Sequence, residues 1–277
     1  MATAERASDT ASMLDEVIHL VRQVGDDVVM PRFLNVVRQH KDDGSVLTEA
    51  DLAAQAALEL GLRAIADCPI VGEEMTEEQQ RRNWDAGASG LWCIDPIDGT
   101  SNFVSGLCHF AVSVAYIQQG RPLLAVIYAP VMHELFYAEA GKGAYLIGDD
   151  LEKVKLPLVT GAVNLQQATG GVDFKRLPKN LAIALAIQPP FQSHRNYGAA
   201  TLDWSYLAAG RLDVYLHGGQ KLWDYAAACL ILQEAGGQMR TLNNEDFWTG
   251  DVWQKSVIAA RKPDLFTAWN DWLAPYR

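Results

Sequence analysis

The chain has 277 residues, 49% of them hydrophobic and 21% charged, proportions of an ordinary folded protein that exclude disordered and collagen-like classes. Its formal net charge of -11, with no Lys/Arg cluster, argues against nucleic acid as the main partner, because neutralising phosphates needs a basic face. No apolar run reaches the roughly 18 to 20 residues that span a bilayer, and the polar start MATAERASDTASMLDE has no signal core, so the expectation is a cytoplasmic protein without a membrane partner.

Between Ala11 and Phe33 the apolar residues Leu14, Val17, Ile18, Val21 and Val24 recur at helical spacing, which predicts an opening amphipathic helix. The polar loop KDDGSVL follows, and a second helix is expected from Thr48 to about Ala66, with Leu52, Ala56 and Leu60 on one face. PIVGEE is expected to be a short strand ending in acids, EEMTEE an acidic loop, and Trp84 to Ser89 a loop. LWCIDPI is expected to be a buried strand that stops at or near Pro96, since proline cannot donate to a ladder. The stretch from Phe110 to Gly148 alternates strand-like runs with QQGRP, AP and AGKG turns and predicts an antiparallel meander. Strand or helix pieces are expected at 153–159 and 180–187, then a helix closed at Gly210, a strand LDVYLH, and a helix that Asp224 opens and Gly236 ends. A shift in texture near residue 150 divides the chain into candidate halves 1–150 and 151–277. Cys68, Cys93, Cys108 and Cys229 contain no CxxC pair, so they are expected to be reduced thiols and not a disulfide or zinc set.

The chemistry concentrates in DPIDGT. A strand end delivers Asp95, Pro96 fixes a backbone dihedral, and the chain turns so that Asp98 and the carbonyl of Ile97 can face the same volume. Gly99 leaves room for close approach, and the amides of Gly99 and Thr100 head a helical turn where an anion can sit. A carboxylate and a phosphate oxygen about 4 Å apart repel by roughly 4 kcal/mol at an effective dielectric near 20. A cation between them reverses the sign, and oxygen donors without Cys or His select a hard ion such as magnesium.

Taken alone DPIDG is as readily a turn, so other acids must join it. Adjacent glutamates in a strand point to opposite sides, so only one of Glu73 and Glu74 can enter a shared site, and Glu73 is preferred. Asp51 is either a helix cap with Thr48 or a site acid, and Asp224 either the N-cap of its helix or a site acid. Two aspartates three apart do not fit the DxDx(T/V) signature of haloacid-dehalogenase phosphatases. The chain also lacks a GxxxxGK(S/T) loop and a GxSxG elbow, while Gly141-Lys142-Gly143 sits in a hairpin turn.

Together GEE, DPIDGTSNF, GAATLDWSYLAAGRLDVY and WDYAAACLILQEAGG resemble the inositol monophosphatase family, magnesium-dependent and lithium-sensitive phosphomonoesterases, from about Lys41 to Gly237. The resemblance implies a layered αβαβα sandwich of the inositol monophosphatase and fructose-1,6-bisphosphatase type, with the active site between an N-terminal α+β half and a C-terminal α/β half, and a homodimer. It implies that Glu73, Asp95 and the Ile97 carbonyl hold one magnesium, that Asp95, Asp98 and Asp224 hold a second, and that Glu73 with waters holds a weaker third. It also implies that Asp51 and Thr100, with Glu73, orient and deprotonate the attacking water. The small residues Gly198, Ala199 and Ala200 match the family's substrate wall; their other reading is helix-start packing. Lys41, in the loop before Asp51, either approaches a metal-bound water or the phosphate or is a plain surface lysine.

One position departs from the pattern. Six residues before Trp223, inositol-selective members usually carry glutamate; this chain has His217, which can donate and carry charge near neutral pH, or which merely ends its strand in solvent. If His217 faces the leaving group, the substrate widens from inositol 1-phosphate to another polyol or sugar phosphate, histidinol phosphate, or one with a second anionic group. TSNF after DPIDG looks more like the inositol group than the nucleotide 3'(2'),5'-bisphosphate branch, which keeps inositol phosphate first. The same fold could also serve a fructose-1,6-bisphosphatase or a non-catalytic interaction subunit. His19, His40, His109, His133 and His194 are assigned to surface or core.

Overall fold

The computed structural model of the protein describes residues 2–35, 39–40 and 46–277. Lys41 lies outside the described residues. The first helix, α1 (Ala2–Gln23), buries Leu14, Val17 and Val21. The single helix expected as far as Phe33 is instead three windings, because Val24–Val29 is π-helical and Met30–Arg32 is 3-10. Pro31, which has no amide hydrogen, sits in that last turn and closes the ladder. A small antiparallel pair, β1 (Gln39–His40) and β2 (Val46–Leu47), precedes α2 (Glu49–Ile65).

Helix α2 starts where Thr48 predicts, but its buried face is not the expected one. Leu52 and Leu60 are 52% and 77% exposed, and the residues facing inward are Ala50, Ala54, Leu58 and Leu62. Asp51 sets this rotation. Its carboxylate accepts the Thr48 amide and hydroxyl and so turns inward with its neighbours. After β3 (Ile70–Gly72) comes α3 (Glu77–Ala86), in place of the predicted loops. Its signal is the capping box Thr76…Gln79, an S/T-x-x-E/Q pattern inside the acidic run.

Strand β4 (Leu91–Asp98) passes through Pro96 and does not stop there. Its pairing with β5 shifts register between Asp95 and Asp98, and a bulge of this kind tolerates a residue without a donor. A five-residue helix, α4 (Thr100–Val104), follows. The expected meander is present as β5 (Ala111–Gln118), β6 (Arg121–Ala129), β7 (Glu134–Glu139), β8 (Gly143–Ile147) and β9 (Lys153–Lys155). With β3 parallel to β4 at one edge, these make a seven-stranded sheet in order β3-β4-β5-β6-β7-β8-β9.

The second sheet interleaves strands and helices: β10 (Thr169–Asp173), α5 (Lys179–Ile187), β11 (Ser193–Arg195), α6 (Ala200–Ala208), β12 (Val214–Lys221), α7 (Leu222–Glu234), β13 (Gln238–Arg240), β14 (Gln254–Ala260) and α8 (Pro263–Leu273). The strand order is β11-β10-β12-β14-β13, with β10 parallel to both its neighbours. Asn180–Ile187 is thus helical, and Lys153–Lys155 is the strand part of its segment.

Three apolar cores separate the layers. Val17, Val21, Leu58 and Leu62 cover the outer face of the large sheet against Trp92 and Val126. Trp204, Ala227 and Leu230 of α6 and α7 fill the space between the sheets, touching Ile127 and Phe136 on one side and Tyr215 and Val257 on the other. Leu181, Leu265 and Trp269 of α5 and α8 cover the far face of the small sheet. The fold is therefore an αβαβα sandwich. Eight of the nine residues of α6 are buried, as a helix packed on both sides requires. All four cysteines are free, Cys93 and Cys229 buried and Cys68 and Cys108 half-buried. No helix among the described residues is long and apolar enough to cross a membrane.

One buried ion pair ties the connection between the sheets to the small sheet. Asp213 accepts the amides of Ala162 and Thr169, each at 2.8 Å, and Arg261 Nε at 2.7 Å. Asp213→Ala should therefore lower unfolding free energy by about 3 to 5 kcal/mol, measured by urea denaturation, because it strands a buried guanidinium. A loss near zero would show that the pair holds nothing together.

Candidate active site

The bulge in β4 places Asp95 and Asp98 beside the helices packed between the two sheets. Asp95 is buried, with Oδ1 accepting the Ile97 amide at 3.2 Å. Asp98 reaches across to α6, where its oxygens accept the amides of Ala200 (3.2 Å) and Thr201 (2.7 Å) and the Thr201 hydroxyl (2.5 Å). A carboxylate of the large sheet thus caps a helix packed between the sheets. Gly99 turns the chain away at φ 89°, and a Cβ there would stand 2.9 Å from the His109 carbonyl oxygen, so only glycine fits.

Asp224 is not the N-cap expected of it. It is the third residue of α7, and its Oδ2 reaches back to accept the Lys221 amide at 2.7 Å. This brings one oxygen each of Asp95, Asp98 and Asp224 within 4.8 Å of one another. At that separation two unit charges repel by roughly 3 kcal/mol at an effective dielectric near 20. All three carboxyls have raised pKa values, with burial the largest cause in each. For Asp95 burial is the main cause, followed by the charges of Glu73, Asp98, Asp224 and Asp51. For Asp224 it is burial, then Asp98 and Glu73, and for Asp98 burial outweighs the bonds from Thr201 and Ala200. Glu73 follows β3 directly, half-buried, and belongs to this electrostatic group through its effect on Asp95 and Asp224.

Asp51 caps its helix as expected and also bonds Thr100. Oδ2 caps α2 through Thr48, while Oδ1 accepts the hydroxyl of Thr100 at 3.2 Å. That hydroxyl also lies 3.0 Å from the Ile97 carbonyl oxygen, so its one proton is shared between two acceptors. Burial raises the Asp51 pKa against the hydrogen bonds from Thr48 and Thr100.

A cavity of about 400 Å³ opens beside Asp98 and Asp224, with Gly198, Ala199 and Ala200 on one wall. His217 lines the same cavity and does not end its strand in solvent, because β12 continues to Lys221. Nor does it carry charge near neutral pH. Burial, helped by Arg176 and Lys175, pushes its pKa down to about 4, against the pull of Asp173. Its Nδ1 accepts the Gly219 amide at 3.0 Å, which leaves the ring proton on Nε2.

The cavity also holds residues to which the sequence assigns no role: Asp173, Lys175, Arg176 and Asp203. Asp173 is the direct neighbour of His217 on the adjacent strand, a relation set by the β10–β12 register. The available signal is the cluster of charges in GGVDFKR at the end of an otherwise apolar run.

The profile of the inositol monophosphatase family matches residues 9–274. The chain belongs to this family. It is 33% identical to an inositol-1-monophosphatase of Caulobacter vibrioides over 81% of this chain and 86% of that one. It is 36% identical to the Nus factor SuhB of Pseudomonas aeruginosa over 81% and 83% of the two chains. Among solved structures, the Thermotoga maritima IMPase superposes with a TM-score of 0.78 at 28% identity, covering 95% of this chain and 99% of that one. Membership of the inositol monophosphatase family supports a phosphatase.

The raised carboxyls make stability depend on pH in a defined direction. The native state binds more protons than the unfolded one, so the stability these groups contribute is complete below their ordinary value of 3.8 and is lost as pH rises through the elevated native values. With a chelator present, the urea midpoint should fall as pH is raised from about 5 to 7.5. Asp95→Asn should flatten that fall. A divalent cation should restore the midpoint in the parent protein and not in the variant; identical pH profiles for the two proteins would contradict the cluster.

Proposed function

We propose that this protein is a magnesium-dependent phosphomonoesterase that hydrolyses a small polyol or sugar phosphate, with inositol 1-phosphate among its substrates. The observation that carries the reading is the convergence of Asp95, Asp98 and Asp224 within 4.8 Å beside a cavity. Buried carboxylates so close repel, and a hard divalent cation fits a cluster made of oxygen donors alone. Glu73, Asp95 and the Ile97 carbonyl would hold one magnesium; Asp95, Asp98 and Asp224 a second; Glu73 with waters a third. When bound, magnesium supplies Lewis-acid charge to the phosphoryl group and lowers the pKa of water towards neutrality.

The chain's own groups do the rest. The Thr100 hydroxyl, donating to Asp51 Oδ1, orients its lone pairs towards the attacking water, and Asp51 with Glu73 receives the proton. A carboxyl whose pKa is raised by burial is the better proton acceptor near neutral pH. The amides of Gly99 and Thr100 hold phosphoryl oxygens, as electrostatic stabilisation of transferring phosphoryl groups requires. The leaving group lies between Gly198, Ala199 and Ala200 on one side and the Nε2–H of His217 on the other.

The relative named a Nus factor favours a second reading, a non-catalytic interaction subunit built on the same fold. Phosphate release from inositol 1-phosphate and p-nitrophenyl phosphate, with magnesium and with chelator, separates the two. Magnesium-dependent turnover is expected, and Asp95→Asn should reduce kcat by roughly a thousandfold, since a bound metal contributes several kcal/mol at about 1.4 kcal/mol per factor of ten. No release from any small phosphate, together with no magnesium binding by calorimetry, would favour the subunit. His217→Glu exchanges a donor for an acceptor and should raise kcat/KM for inositol 1-phosphate relative to other sugar phosphates; an unchanged ranking would remove His217 from substrate choice.

A further inference from the structure

The cavity beside Asp98 has a far wall that the phosphoryl chemistry leaves unused. After β10 the chain turns at Phe174–Leu177 and lies directly on β12. Gly218 and Gly219 permit this: a Cβ on Gly218 would stand 2.4 Å from the carbonyl carbon of Arg176 and 2.5 Å from the oxygen of Lys175. One on Gly219 would stand 3.1 Å from Arg176 Cδ. The turn is fastened at three points. Asp173 Oδ1 accepts the Lys175 amide at 2.7 Å, the Leu177 amide bonds the Phe174 carbonyl at 3.4 Å, and Arg176 Nη1 donates to the Gly219 carbonyl at 2.8 Å.

Arg176 itself has φ 62°, a left-handed conformation that side-chain-bearing residues adopt rarely and that tends to be kept where position matters. The result is a built projection that carries two cations to the rim of the cavity. One N–H of the Arg176 guanidinium is spent on Gly219, and its remaining donors match the oxygens of a phosphate or carboxylate. His217 adds a third donor, because its Nδ1 is occupied by the Gly219 amide and its Nε2 stands 3.8 Å from Asp173 Oδ2, beyond hydrogen-bond range.

Two acids share this wall and bear on its sign. Asp173 is half engaged with the turn through Oδ1. Asp203 is 3% exposed, and its Oδ1 has no hydrogen-bond partner among the described residues. Burial, with the charges of Asp98 and Asp173, raises its pKa, which favours its uncharged form. The turn itself carries two cations, Lys175 and Arg176, to the cavity against one acid, Asp173. A neutral polyol would satisfy Asp203 and His217 and leave both cations idle.

We infer that the preferred substrate carries a second anionic group, phosphate or carboxylate, on its leaving group, and that Lys175, Arg176 and the Nε2–H of His217 recognise it, Arg176 being the specificity-determining residue. This rests on the phosphomonoesterase reading of the same site and narrows its substrate class.

The test uses the full chain with magnesium and two matched pairs: fructose 1,6-bisphosphate against fructose 1-phosphate, and 3-phosphoglycerate against glycerol 3-phosphate. The parent protein should favour the more anionic member of at least one pair by about tenfold in kcat/KM, the size of one charge-assisted contact, and the pair that shows it tells phosphate from carboxylate. Arg176→Ala should remove most of that preference through KM, and Arg176→Lys should keep part of it. Equal use of both members of each pair, or a loss in Arg176→Ala shared equally by both members, would overturn the inference. If no phosphate is released from any substrate, the phosphomonoesterase reading fails by itself. Calorimetric binding of the same four compounds in the presence of calcium then decides the anion site: tighter binding of the more anionic members, lost in Arg176→Ala, supports it, and indifference overturns it.

Discussion

Mutual repulsion among buried carboxylates is the constraint around which this molecule is arranged. Asp95, Asp98 and Asp224 come from a strand bulge and from the first turn of a helix in the other half, and each is fixed by backbone amides or a hydroxyl before any ligand arrives. A chain selected for stability alone would not keep three acids within 4.8 Å in an apolar surround. Hydrogen bonds offset part of the cost, and the remainder leaves the site with affinity for positive charge.

The same carboxylates serve as joints. Asp98 caps α6 from 102 residues away, and Asn102 bonds the carbonyls of His109 and Tyr197, both at 2.6 Å, so the turn after β4 is riveted to the approach to α6. The site therefore lies on the seam between the two sheets, and the geometry of the seam is the geometry of the site. Because α6 and α7 are buried between the sheets, the residues they present to the cavity are positioned by packing on two sides.

Much of this is legible along the chain. The meander follows from alternation and turn residues, the start of α2 from Thr48, and the acid set from DPIDGT with its partners. What escapes is set by neighbours distant in sequence. The buried face of α2 is decided by what Asp51 bonds, and its leucines at 52 and 60 mislead because they outrank alanines in any periodicity count. Pro96 stays in its strand because a bulge supplies a place without a partner amide. Helix α3 hides behind its charge. Asp173 does not stand out in the sequence because its relation to His217 exists only through the pairing of β10 with β12. The ionisation of His217 is hidden for the same reason, since burial and two nearby cations are properties of the assembled wall.

Asp51 divides its two oxygens, one holding the start of α2 and the other the hydroxyl of Thr100. On the proposed mechanism, replacing it would loosen a helix start and remove a proton acceptor at once. Under the proposed function, a chain that gave up turnover and kept only its scaffold would still need the helix start that Asp51 holds.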